Sequence, residues 1–216
     1  MMIAAGELYF PKQIENPVFE NQFFDGKKKK CIIVEISDEE YDICWEVAPI
    51  FWANRPGNEY TEGLLKTEDD PYKSVRIGLL GQMAFGKVFG EPVDLVYREK
   101  GDKYDNILGN KYKVDIKCSA RCYGKAYIYR KPNKEKWIEI NKDIYVFCYL
   151  KSDDKDNKKA IVVMVGYYLK QDVLNSPLRK SPRKKCTHYN HEAYFSNLFP
   201  IERLLNLKNK YFKHVK

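Results

Sequence analysis

KVDIKCSA, residues 113–120, alternates apolar and polar side chains with a period of two, the pattern of a strand with one buried face. The alternation puts Val114, Ile116 and Cys118 on one side and Asp115 and Lys117 on the other, two residues apart and so neighbours on one face. An isolated D-x-K on a solvated face signifies only solubility. Its weight depends on what the rest of the chain sets beside it.

The surrounding sequence, PVDLVYREKGDKYDNILGNKYKVDIKCSA, parses as three short strands, VDLVYR, YDNIL and KYKVDIKCS, turning at Gly101 and at Gly109-Asn110. If the second connection has an odd number of residues, for instance Gly109 to Lys111, Asp105 stands opposite Asp115 on the same face. A two-residue turn puts it on the other face. Two carboxylates side by side resist joint ionisation unless a cation bridges them, and hard divalent ions with oxygen ligands do so. Immediately upstream, VRIGLLGQMAFGKVFG is apolar on nearly every side over residues 75 to 89, which predicts a buried helix. Gly78, Gln82, Phe85 and Phe89 share one stripe of it. The Gln82 amide is therefore expected to point into an apolar environment, where lacking a partner would cost about 1 to 3 kcal/mol.

A helix carrying GxxGQxAF, then a meander carrying an aspartate and D-x-K, resembles the PD-(D/E)XK nuclease superfamily over roughly residues 75 to 170. The resemblance implies an α/β restriction-endonuclease-like core, a mixed β-sheet flanked by helices, here with an N-terminal addition. It matches Asp105 to the first acidic residue, Asp115 to the second and Lys117 to the lysine. Gln82 occupies the position often held by a helix glutamate, a departure that removes one negative charge. On this resemblance the chain is a metal-dependent nuclease that hydrolyses phosphodiester bonds of DNA. Asp105, Asp115 and the main-chain carbonyl of Ile116 would hold Mg²⁺, with Mn²⁺ as a substitute, and Lys117 would position and polarise the attacking water.

The composition is that of a globular chain: 216 residues, 44% hydrophobic, with no apolar run long enough to span a membrane. The start, MMIAAGELYF, lacks a signal-peptide pattern, and six cysteines without a CxxC pair suit reduced thiols. An intracellular, cytoplasmic protein is expected, and a small Lys- and Tyr-rich nuclease suits a phage, plasmid or defence setting. The net charge of +8 is uneven, with 12 Lys and Arg against 18 Asp and Glu in residues 1–100 and 26 against 12 in residues 101–216. A basic half attracts polyanions, so DNA is the expected partner, with RNA as an alternative and a homodimer compatible with either.

Residues 1–70 are expected to form an N-terminal lobe: a hairpin turning at Asp25-Gly26, then a helix begun by the Ser37/Glu40 capping box and kinked or ended at Pro49. Residues 71–216 are expected to form the nuclease core with a basic loop and a C-terminal helix. INKDIYVFCYLK (140–151) and KAIVVMVGYYLK (159–170) read as a core hairpin, and SNLFPIERLLNLKNKYF as an amphipathic helix packing back on the domain. Lys125 and Arg130, in SARCYGKAYIYRKPNKEKW, lie among tyrosines, a mixture suited to phosphate contacts and base stacking. Arg179, Lys180, Arg183, Lys184 and Lys185 lie in NSPLRKSPRKKC, which reads as a phosphate-gripping loop. Cys186, His188 and His191 are spaced as C-x-H-x-x-H, which lacks the fourth ligand of a zinc site. Two rivals stand beside the nuclease: a nuclease-fold protein with a decayed site, and a basic adaptor that binds without cutting.

Overall fold

A computed structural model of the chain describes residues 8–53, 70, 72–95, 105–130, 132–133, 136–137, 140–180 and 189–211. In chain order its elements are β1 (Leu8–Tyr9), β2 (Val18–Phe24), β3 (Lys27–Ile36), α1 (Asp38–Ala53), α2 (Lys73–Phe89), β4 (Val93–Asp94), β5 (Asn106–Leu108), β6 (Tyr112–Ser119), β7 (Lys125–Arg130), β8 (Pro132–Asn133) and β9 (Lys136–Trp137). They continue with β10 (Ile144–Asp154), β11 (Lys159–Leu169), α3 (Lys170–Asn175), β12 (Leu178–Lys180), β13 (Tyr189–Tyr194), β14 (Phe199–Pro200) and α4 (Ile201–Tyr211). The protein is mixed α/β. Its central sheet of seven strands runs in the order β2-β3-β11-β10-β6-β5, with β14 joined to β11. β6 and β10 are parallel and their other neighbours antiparallel, so the sheet is mixed.

One face of this sheet carries Ile32, Val34, Val114, Ile116, Ile144, Val146 and Met164, packed against α1, α2 and α4. The other carries Tyr145, Phe147, Val163 and Val165, covered by Ile128, Ala193 and Phe195 of a smaller segment that includes the three-stranded sheet β12-β13-β7. The β10–β11 hairpin is the core hairpin its β-branched and aromatic residues predict. α4 buries Ile201, Leu204 and Leu205 against the first face, as an amphipathic terminal helix should.

The N-terminal hairpin and helix are present, and both are built into the main body. Asp25 and Gly26 turn the hairpin at φ 48° and 75°, and β3 then pairs with β11 at the centre of the sheet. At the start of α1 the Ser37 N–H donates to Glu40 (2.8 Å) and the Glu40 N–H to the Ser37 hydroxyl (3.4 Å), the reciprocal bonds of a capping box. Pro49 does not end the helix, which runs on to Ala53. α2 is buried as its apolar composition demands, and its two buried cations have partners. Arg76 is paired with Asp70 and Asp153 and lies 3.8 Å from the Trp45 ring, while Lys87 meets Glu40 at 2.6 Å.

The expected meander is corrected in part. β5 and β6 form its second and third strands, but the described part of the first, Val93–Asp94, pairs with β1. Residues 96–98 of that expected strand, and the connection through 104, lie outside the described residues. The basic stretch is also less of a loop than its prolines and serines suggest, since Leu178–Lys180 pair with β13 as a strand.

Candidate active site

Gly109 (φ 60°), Asn110 (φ 57°) and Lys111 connect β5 to β6, a three-residue turn in which two consecutive residues take the left-handed conformation that Gly and Asn tolerate. The turn fixes the register at Leu108↔Tyr112, Ile107↔Lys113 and Asn106↔Val114, and Asp105 immediately precedes this paired run, close enough for the Asp115 charge to act on its carboxyl. The Asp105 N–H donates at 3.0 Å to the carbonyl of Val114, the partner of Asn106, so the pairing is one residue out of step at Asp105. The Asp105 carboxylate accepts the Ile116 N–H at 2.6 Å. N–H and C=O of one strand residue leave on the same edge, so the Ile116 carbonyl also faces the Asp105 side.

Asp115 and Lys117 project from the face opposite Ile116, beside Tyr145, the parallel-paired neighbour of Asp115. Lys117 Nζ lies 2.7 Å from Asp115 Oδ2 with 39% of its side chain still open to solvent. Asp115 Oδ2 is buried, and the Lys117 ammonium is its charged partner. Burial first, and then the Asp115 charge, push the Asp105 carboxyl up to about 6, against the pull of Lys117, the Ile116 N–H and Lys142. Burial alone would lower Lys117, but Asp115 and Asp105 outweigh it and hold the ammonium above its ordinary value.

A crowded, buried acid pair and an adjacent backbone carbonyl fit a hard divalent cation whose remaining ligands are water. Among the described residues no group of three His, Cys, Asp or Glu side chains gathers that could hold a metal, so the donor set is two carboxylates.

No hydrogen bond joins Gln82 to Asp105, Asp115 or Lys117 among the described residues. α2 packs on the other face of β6, where a Cβ at Gly81 would meet the Cys118 Cβ at 2.7 Å. The expectation that it points into an apolar environment is also corrected. Ser74, Gly78 and Gln82 form the open stripe of an otherwise buried helix, and a Cβ at Gly78 would meet nothing within 4 Å.

The basic residues divide into three groups. Lys125 and Arg179 lie on the outer face of the small sheet and converge on Glu192, at 3.0 and 3.2 Å, so a buried carboxylate offsets part of their charge. Burial would raise Glu192, but the Tyr194 hydroxyl, above all, and Lys125 hold its carboxyl below the ordinary range. Lys180 is exposed on β12, and Arg130 lies on β7 without a described side chain. Arg183, Lys184 and Lys185 lie outside the described residues, as do Cys186 and His188, while His191 is buried facing Ser176.

One residue the sequence reading passed over stands at the acid pair. Lys142 precedes β10 and is held where Asp115 and Asp105 act on its ammonium. Burial lowers its pKa, the two carboxylates oppose that, and Lys117 and Lys113 add to it. Residues 140–151 read as core, and only the parallel pairing of β10 with β6 brings Lys142 here. Compared with protein-family models, with curated proteins and with solved structures, this chain matches none.

Proposed function

We propose that this protein hydrolyses phosphodiester bonds of nucleic acid, DNA first, at a divalent-metal site formed by Asp105 and Asp115. The observation that carries the reading is the meeting at β6 of Asp105, whose carboxylate accepts the Ile116 N–H at 2.6 Å, and Asp115, whose Oδ2 lies 2.7 Å from Lys117 Nζ. Asp105, Asp115 and the Ile116 carbonyl would hold Mg²⁺ or Mn²⁺, which when bound acidifies a water and neutralises phosphate charge. Lys117, ion-paired at one end and open to solvent at the other, would orient that water and meet the charge that develops at phosphorus. The basic C-terminal half would draw the polyanion in.

A second reading keeps binding and discards cleavage. It is favoured by the two-carboxylate donor set and by Gln82 in place of an acidic residue. Incubation with supercoiled, linear and branched DNA and with RNA, in Mg²⁺, Mn²⁺ or EDTA, separates the two. Cleavage that needs metal and is lost in Lys117→Met supports hydrolysis. Tight binding with no cleavage under any metal supports the second reading.

A further inference from the structure

A cavity of about 690 Å³ lies between α4 and the first face of the central sheet, at the start of β6 and β10 and the end of β11. Asp115 and Lys117 project from the opposite face and take no part in its lining. Leu108, Ile144, Tyr167 and Leu204 are buried and form its floor. Tyr112, Leu169 and Leu207, which are 36%, 45% and 40% exposed, form its mouth. Leu207 follows Leu204 by about one helical turn, so the apolar stripe of α4 runs on past the core and into the cavity. The volume falls in the range of about 300 to 1,000 Å³ that holds a small ligand, and covering apolar side chains left in water at the mouth is favourable.

Three cations stand around this apolar lining: Lys111, Lys170 and Arg203. Lys111 Nζ lies 5.1 Å from the centre of the Tyr112 ring, and the Arg203 guanidinium 5.5 Å from that of Phe199, which also lines the cavity. The Lys170 N–H donates at 3.0 Å to the carbonyl of Asp143, another lining residue, and so fixes the start of α3 at the edge. None of the three cations has an acidic partner among the described residues. Asp143, the acid in the described lining, already accepts the Lys113 N–H at 2.8 Å through Oδ2. An apolar cavity edged with uncompensated positive charge complements an anion with an apolar body. A nucleotide suits it poorly, because a nucleobase carries an edge of donors and acceptors, whereas the Gln171 amide already donates to Asn175 at 3.1 Å and the floor is apolar. An aliphatic chain needs no such partners.

We infer that this cavity binds one long-chain carboxylate, its chain against Leu108, Ile144 and Leu204 and its head among Lys111, Lys170 and Arg203. The inference goes beyond nucleic-acid hydrolysis and does not depend on it. The test is calorimetric titration of the parent with octanoate and decanoate below their micellar concentrations, with 1-decanol as the uncharged counterpart and dAMP as the competing class. Leu207→Asp, and Lys170→Gln combined with Arg203→Gln, are titrated with decanoate and decanol. All three side chains are exposed, so both variants should melt as the parent does.

Burying a methylene tightens binding about fourfold, so decanoate should bind about tenfold or more tighter than octanoate. Loss of the charged head should make decanol about tenfold weaker than decanoate. The K170Q/R203Q variant should lose about tenfold for decanoate and nothing for decanol, while L207D should lose affinity for both. No binding of decanoate by the parent, equal affinity for octanoate and decanoate, or equal affinity for decanoate and decanol overturns the inference. So does a K170Q/R203Q variant that binds decanoate as the parent does. Tighter binding of dAMP than of decanoate overturns it as well and makes the cavity a nucleotide site. The parent titrations decide between these outcomes whether or not a variant folds.

Discussion

Asp105 carries a measurable sign of the site. In the metal-free protein its carboxyl titrates at about 6, because burial and then the Asp115 charge disfavour ionisation. An unfolded aspartate titrates near 3.9, so between roughly pH 4 and 6 the folded chain holds this proton more tightly than the unfolded one. The stabilisation from Asp105 is accordingly full below about pH 4 and is lost as pH rises through about 6. Asp105→Asn should remove that dependence and make the metal-free protein more stable than the parent at neutral pH, by up to about 3 kcal/mol, as read by urea unfolding across pH. Asp115→Asn should bring the Asp105 titration down in an NMR pH series. A parent Asp105 titrating near 4 would mean that the two carboxylates do not sense one another. This pair was legible in the sequence, because a short hairpin and its turn residues Gly109 and Asn110 decide it locally. Lys142 was not, because its place depends on pairing between strands separated by the whole β7–β9 excursion.

The element that supports the site from behind is α2. Gly81 lets it approach β6 so closely that a Cβ would lie 2.7 Å from the Cys118 Cβ and 3.5 Å from Ile116 Cγ2, on the strand that carries Asp115 and Lys117. Gly81→Ala should therefore cost about 1 to 3 kcal/mol by overpacking, and reduce any cleavage by shifting β6. Gly78→Ala, three residues earlier where a Cβ meets nothing within 4 Å, should be neutral or stabilising by up to about 1 kcal/mol. Equal effects of the two would remove the close helix–strand contact as a cause. The helical period located α2 correctly, and its glycines read only as tolerated exceptions until packing gave each a neighbour or none. The period could not say which stripe stays open, and so Gln82 was expected on the wrong one. The partner of β4 was equally hidden, since Leu8–Tyr9 return to it across more than eighty residues.

Across the whole molecule, charge and fold are arranged differently. The excess of positive charge belongs to residues 101–216, yet β2 and β3 from the acidic half are strands of the same sheet as β6, β10 and β11. The first half thus supplies strands to the same sheet that carries Asp115 and Lys117. No helix among the described residues is long and apolar enough to cross a membrane. Nucleic-acid binding should weaken by about tenfold or more between 50 and 200 mM salt if several phosphates are contacted, and Lys125 and Arg179 should contribute less than Lys180 because Glu192 already pairs with both. Affinity indifferent to salt would remove the polyanion as partner. Divalent-cation binding by the acid pair is tested most directly by titrating the protein with Mn²⁺ and counting bound ions by electron paramagnetic resonance, in the parent, Asp105→Asn and Asp115→Asn. One or two bound Mn²⁺ in the parent, lost in both folded variants, is the predicted result; no binding in the parent, or binding unchanged in both variants, contradicts a metal site at Asp105 and Asp115.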